Sequence, residues 1–268
     1  MRTIQTSLLT ALTALSVAHC GAGKAGSDSA GAPVLNNDEA ALADRIAYAG
    51  SNVAVVNAPA AALSNLDLGV KLTLLGELSP PSIGDAAVQA NDLVVSGKRV
   101  YVAYNVAGER QAGALDVIDF SDELHPKLVS ELLFSDRDVN GVTLAGDVAY
   151  FVGATSAAKA APAYLGALPL TSGLLTTKLT TYDLTSFAGT GVAVDDDNVY
   201  ALSGDGGGLR SFAKATMKAN FSLDIKDARA LAVGAEKGQV QVLSGQPGAL
   251  ATVSSSTATP VPAKLVRS

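Results

Sequence analysis

Residues 92–134 read DLVVSGKRVYVAYNVAGERQAGALDVIDFSDELHPKLVSELLF, and this stretch decides the fold. It consists of short apolar runs, rich in β-branched and aromatic residues, that are separated by a tight turn at Gly97 and by polar loops. Such runs predict β-strands, because a helix needs an apolar period of 3.6 over ten or more residues. The stretch therefore predicts a unit of neighbouring strands.

The same unit recurs along the chain. A turn residue is followed four positions later by an aromatic residue at Gly97 and Tyr101, at Gly146 and Tyr150, and at Asp196 and Tyr200, with weaker copies starting at Gly50 and Lys237. These turn positions are spaced by 47, 49, 50 and 41 residues. A period of roughly 40–50 residues made of strands is typical of propeller blades. We expect the three tyrosines to pack in the core, since they occupy one repeat position.

The unit resembles the LVIVD repeat, a bacterial β-propeller repeat. The matching residues are Ser96-Gly97, Val100 to Val102, Leu115 to Ser121, and His125 to Leu128. The resemblance is closest over 92–134, weaker over 139–187, and weakest over 46–78, 191–225 and 229–268. It implies an all-β fold, a β-propeller of about five four-stranded blades over residues 44–268, in which Asp119 binds turn amides. A five-bladed ring, a ring with one more diverged blade, and an incomplete ring remain open. The stretch 154–176 is interpreted as a surface insertion.

The beginning of the chain is interpreted as an export signal. Residues 1–19 form a lipoprotein-type signal peptide in this interpretation, with Arg2 before an apolar stretch that is too short to span a bilayer. Residues 16–20 resemble a bacterial lipobox, which implies lipidation of Cys20, the single cysteine of the chain. His19 departs from the lipobox pattern. The alternative is an ordinary signal peptide that is cut later, near residues 30–32.

Residues 20–43 are predicted to be the lipid anchor and a flexible tether, because they contain few large apolar side chains. Gly21 after the cysteine resembles the pattern that is sorted to the outer membrane. The net charge is −6 and the pI is about 4.9, with no basic cluster, which argues against nucleic acid as a partner. We expect a bacterial envelope location, on the periplasmic face or the cell surface, with a membrane contact through the lipid on Cys20.

Three stretches could carry chemistry, and each is better explained as a turn. Asp195-Asp196-Asp197-Asn198 lacks the spacing of a calcium loop and falls on the repeat's turn position. Residues 204–208 (GDGGG) lack the Lys-Ser/Thr of a phosphate loop, and we expect a hairpin loop. His125 precedes Pro126 in a blade turn. No motif indicates a cofactor or a metal.

The sequence thus favours a non-catalytic, lipid-anchored protein that presents a propeller as a scaffold for an unknown protein or glycan. The alternative is a periplasmic or secreted propeller hydrolase. Paired carboxylates at strand ends could perform acid–base chemistry, and the candidates are Asp116, Asp119 and Asp183. Propellers host both classes, so the fold alone does not choose between them.

Overall fold

The computed structural model describes residues 31–49, 74–156, 160–234, 236, 238–246, 248–254 and 260–262. These residues are nearly all β-strand, with one short helix, α1 (Glu39–Leu42), followed by a 3-10 turn, Ala43–Arg45. The strands form several antiparallel sheets. Within the described ranges, no helix is long and apolar enough to cross a membrane.

The first sheet contains the stretch that decides the fold. Its strands lie in the order β1-β8-β7-β6-β5-β4. Their bounds are β1 Val34–Asn36, β4 Ser82–Ile83, β5 Ala86–Ser96, β6 Arg99–Val106, β7 Gly113–Asp119 and β8 Lys127–Phe134. A separate pair, β2 Ile46–Tyr48 and β3 Gly76–Leu78, lies between β1 and β4 in the chain. The turn at Gly97 has a φ of 60°, a backbone angle that glycine adopts without steric cost.

Three four-stranded meanders follow, and each corresponds to one predicted unit. The second sheet comprises β9 Gly141–Ala145, β10 Val148–Ala154, β11 Ala163–Pro169 and β12 Thr180–Asp183. The third comprises β13 Gly189–Val194, β14 Asn198–Ser203, β15 Gly208–Ala213 and β16 Ala219–Asp224. The fourth comprises β17 Ala228–Val233, β18 Gln239–Ser244, β19 Ala249–Ser254 and β20 Pro260–Pro262.

Successive sheets pack face to face, and the apolar core lies between them. Tyr101, Tyr150 and Tyr200 belong to three separate core clusters, which lie between the first and second, the second and third, and the third and fourth sheets. All three tyrosines are buried, which confirms their predicted core role. At the equivalent position of the fourth sheet stands Gln241, which is exposed. Burying one large apolar side chain contributes roughly 1.5–3 kcal/mol to the free energy of folding, so these contacts hold the sheets together.

The tether prediction for residues 20–43 is wrong for residues 34–43. Strand β1 pairs with β8, because the outer edge of the first sheet offers backbone groups that need partners. The side chain of Asp38 caps α1 by accepting from the backbone N–H of Ala40 at 3.0 Å, and Leu42 is buried. The low apolar content of residues 20–43 as a whole therefore gave no indication that residues 34–43 pack against the first sheet. The rest of the predicted tether, residues 20–30, lies outside the described residues.

The interpretation of 154–176 as a surface insertion is also wrong. Strand β11 lies within it, pairs with both β10 and β12, and is buried over most of its length. Packing requires a glycine at residue 166, because a Cβ there would lie 2.7 Å from the ring of Phe151. The glycine makes room for a fully buried aromatic ring.

Candidate functional site

A relay of side-chain hydrogen bonds links β5 of the first sheet to the first strands of the other three sheets. The Asn91 side chain donates to the carbonyl of Asn140 at 2.5 Å, and the Asn140 side chain donates to the carbonyl of Gly189 at 3.0 Å. The Thr190 hydroxyl then donates to the carbonyl of Ala228 at 2.9 Å. Irregular pairing at β5, β13 and β17 marks the same repeat position, where bulged residues are aimed at the next sheet. We call these contacts the inter-sheet relay.

Asp138 lies two residues before Asn140 of the relay and joins the first sheet to the second. Its carboxylate accepts the backbone N–H groups of Ala112 at 3.2 Å and Val106 at 3.4 Å, and its own carbonyl accepts the hydroxyl of Tyr164 at 2.7 Å. Only 9% of Asp138 is exposed, and burial raises the pKa of its carboxyl group to about 6 although the two N–H groups oppose that rise. The neighbouring Asp136 and Arg137 form a buried ion pair at 2.8 Å.

Asp116, the first acid of the hydrolase alternative, is part of a buried ion cluster. Its carboxylate accepts two hydrogen bonds from the Arg45 guanidinium, at 2.7 and 3.1 Å, and Glu131 accepts a third at 2.5 Å. Burial raises the pKa of both carboxyl groups, against the attraction of Arg45. Arg45 also donates to the carbonyl of Ser79. The cluster therefore attaches the segments around residues 45 and 79 to the face of the first sheet that is turned away from the second.

The other two acids lie elsewhere. Asp119 stands three residues after Asp116 on β7, so strand alternation turns it to the opposite face. Its carboxylate accepts the N–H of Ser121 at 2.7 Å and forms an ion pair with Arg99. Both contacts lower the pKa of Asp119, and the hydrogen bonds from Ser121 have the larger effect. Asp119 thus binds a turn amide, as the repeat resemblance implied. Asp183 ends β12 in the second sheet, where its carbonyl accepts from Arg210. The structure does not bring the three acids together.

The remaining candidates lie in turns, as the sequence predicts. The Asp195 carboxylate accepts the N–H groups of Asp197 and Asn198 and the hydroxyl of Tyr200. Of residues 204–208, the first four connect β14 to β15 and Gly208 begins β15, and Gly206 has a φ of 73°. His125 is exposed and contacts Asp122 at 3.1 Å. Its ring also meets the ring of Tyr48 edge to face.

The predicted lipidation site is not part of this picture, because Cys20 and residues 1–19 lie outside the described residues. In the part of the chain that the structure describes, no three His, Cys, Asp or Glu side chains converge in a way that could hold a metal ion. Polar groups do converge at the relay, at Asp138 and at the Arg45 cluster. Sequence reasoning predicted none of these three groups. For the Arg45 cluster a signal was present, because Asp116 and Glu131 on apolar strands indicate that a buried cation is required.

Comparison with known proteins gives little beyond this geometry. No protein-family model and no curated protein matches the chain. Among solved structures, the crystal structure of the computationally designed Ika4 protein resembles it with a TM-score of 0.44 and 15% sequence identity. The match covers 63% of this chain and 92% of that chain. A similarity this low carries no argument about function.

Proposed function

We propose that the protein is a non-catalytic, lipid-anchored protein of the bacterial envelope or cell surface. It presents its stacked sheets as a scaffold that binds a protein or glycan partner, and the lipid on Cys20 attaches it to the outer membrane. The signal-peptide pattern of residues 1–19 and the lipobox-like residues 16–20 support the export and anchoring parts of this proposal. Two or more acyl chains anchor a protein stably, whereas one does so weakly.

The contacts of the acidic side chains support the non-catalytic part of the proposal. The buried Asp116 pairs with the partly buried Arg45, and Asp119 binds a turn amide together with an arginine. Both groups stabilise the fold and lie on opposite faces of one strand, while Asp183 belongs to another sheet. A pair of carboxylates that performs acid–base chemistry needs both groups on one substrate. No observation favours the hydrolase alternative.

The proposal also covers how the sheets are arranged. The four sheets are successive blades of an LVIVD-type β-propeller of about five blades. Most of the remaining predicted unit, residues 46–78, lies outside the described residues. Exposed apolar residues on β5 support this arrangement, since Leu93 and Val95 are 58% and 63% exposed. Val142, at the position of the second sheet equivalent to Leu93, is only 5% exposed because it packs against the first sheet. Among the residues that the structure describes, no sheet packs on the face that carries Leu93, whereas the equivalent face of the second sheet is covered by the first.

The anchoring proposal is tested with an alkyne fatty acid fed to cells that express the chain. The wild-type protein should take up the label, and Cys20→Ser should lose the label and leave the membrane fraction. The matched control is Ser16→Ala, which keeps the cysteine. Equal labelling of wild type and Cys20→Ser would refute lipidation at this residue.

Location is tested by protease treatment of intact and lysed cells, with an antibody against the C-terminal half. Loss of the antigen from intact cells would indicate surface display, and survival until lysis would indicate the periplasmic face. Recovery of the protein from the cytosolic fraction in both experiments would refute the envelope proposal as a whole.

A further inference from the structure

The connection between the second and third sheets places a phenylalanine in solvent. Residues 185–188, which we call the Phe187 loop, lie between the buried Leu184 and Gly189, the first residue of β13. Phe187 is 73% exposed, more than any other large apolar side chain among the residues that the structure describes. The loop thus turns a bulky apolar ring towards water although both of its ends are fixed in the core.

The fold does not require an aromatic residue at this place. The carbonyl that follows Phe187 accepts the N–H of Gly204 at 3.0 Å, and in the next connection the carbonyl that follows Lys226 accepts the N–H of Gly245 at 2.8 Å. Phe187 and Lys226 therefore occupy equivalent positions, and Lys226 is exposed as well. Because a charged residue serves this position in one connection, the fold does not account for a phenylalanine in the other.

The residue before Phe187 is held in a strained backbone conformation. Ser186 has a φ of 84°, in the left-handed region that serine seldom adopts. Its carbonyl accepts the N–H of Ala163 from the second sheet at 3.2 Å, and its hydroxyl donates to the carbonyl of Asp205 in the third. A Cβ at Gly207 would lie 3.0 Å from the Cβ of Ser186, so the two sheets enclose this serine. Strain of this kind persists only where contacts impose it, and it is concentrated at functional sites.

The contacts on both sides of Phe187 hold it outward before any partner arrives. Ser186 is bound to two sheets, and the carbonyl of Ala188 is bound to the third. Ordering a loop is one of the costs of association, and a loop that is already fixed avoids this cost. A rigid, exposed ring that enters a pocket is the kind of group that carries much of the binding energy of an interface.

The surroundings of the ring indicate the chemistry of the partner. A glycan needs hydrogen-bonding groups beside the ring, because its hydroxyl groups lose water on binding. In the Phe187 loop, the Ser186 hydroxyl and the carbonyls of Ser186 and Ala188 are already bound within the protein. Asp205 is exposed next to the loop and the chain has a net charge of −6, so an anionic membrane surface would repel this region. An apolar pocket on a protein, in contrast, needs only the ring.

We propose that Phe187 is the anchor of a protein-binding surface, and that its partner is a protein with an apolar pocket whose rim carries basic side chains that face Asp205. The ring enters the pocket, and the clamped backbone at Ser186 keeps it extended from the sheets. This inference rests on the proposed scaffold function, since it names the binding surface and selects a protein rather than a glycan as the partner.

The first test places a photo-crosslinking residue on the full-length chain in the cells that naturally produce it. Phe187→p-benzoylphenylalanine should give one discrete protein adduct on irradiation, and the cross-linked residues of the partner should line an apolar pocket. The same replacement of Leu124, which is 66% exposed, and of Lys226 should not give this adduct. Protein adducts at positions 124 or 226 but not at 187 would overturn this inference and leave the scaffold proposal standing. Absence of adducts at all three positions would contradict both, and an adduct of position 187 with lipid or glycan would overturn the choice of partner.

The second test measures the affinity of the purified partner for the purified protein. Phe187→Ser should weaken binding at least about 30-fold, whereas the matched control Lys226→Ser should leave it unchanged. Ser186→Gly keeps the ring but releases the loop, and it should weaken binding about fivefold. Because the ring lies in solvent, the urea midpoint of Phe187→Ser should equal that of the wild type, which separates binding from stability. Equal affinities of Phe187→Ser and the wild type, or Phe187-dependent binding to vesicles of phosphatidylethanolamine and phosphatidylglycerol, would overturn the proposal.

Discussion

The Arg45 cluster yields the sharpest prediction about stability. Arg45→Met removes the guanidinium that neutralises Asp116 and Glu131 but keeps an unbranched apolar side chain of similar length. Asp116 is fully buried, and both acids are then left without a cation in an apolar face. Removing one partner of a buried ion pair costs about 3–5 kcal/mol, because the remaining charge has lost its water. For a domain of this size, that loss lowers Tm by roughly 10–15 °C.

The measurement is urea unfolding at pH 7, followed by far-UV circular dichroism because the chain contains no tryptophan. The triple variant Arg45→Met, Asp116→Asn, Glu131→Gln removes all three charges and should recover most of the loss. Arg110→Met serves as the control, since it breaks an exposed ion pair with Asp85 and should leave the midpoint unchanged. A loss below about 1 kcal/mol for Arg45→Met would refute the reasoning, because that is the value of a solvated pair.

The sign of the pH dependence is a further check on the same variant. With Arg45 absent, no cation opposes the effect of burial on Asp116 and Glu131, so their pKa values rise further and the two groups take up protons on folding. The deficit of Arg45→Met relative to the wild type should therefore shrink as the pH is lowered towards the ordinary carboxyl range. Unfolding curves at pH 7 and pH 5 measure this, and a deficit that is larger in acid would contradict it.

Three other substitutions test separate contacts. Gly166→Ala places a methyl group against the buried ring of Phe151 and should cost about 1–3 kcal/mol in urea unfolding. Asp195→Ala frees the amides of its turn and should cost about 1–2 kcal/mol at pH 7. Hydrogen bonds hold the pKa of Asp195 below its ordinary value against the effect of burial, so this difference should disappear as the pH falls through that lowered pKa. Thr190→Val deletes the relay bond to Ala228 and should cost about 1 kcal/mol, and unchanged stability would remove the relay as a contributor.

Local sequence patterns predicted the elements that depend on neighbours along the chain. The turns at Gly97, Gly146 and Asp195–Asn198 appear where the repeat places them, because positive φ at glycine and Asx hydrogen bonds are short-range effects. The recurrence of Tyr101, Tyr150 and Tyr200 at one repeat position predicted that these tyrosines are buried. In contrast, β11 was misread, because a glycine that serves a ring on a neighbouring strand looks like a loop residue in sequence.

The sequence by itself determined the strand character of the chain, its period of roughly 40–50 residues and the tyrosine positions that pack between sheets. Only the tertiary structure decided that Arg45 meets Asp116 and Glu131, 71 and 86 residues further along, and that β1 joins the outer edge of β8. The same is true of Asp138, whose carboxylate closes a loop 26 residues earlier in the chain. Periodicity and turn propensity act over a few residues, whereas a buried charge finds its partner through packing in three dimensions, so no local pattern encodes which partner it meets.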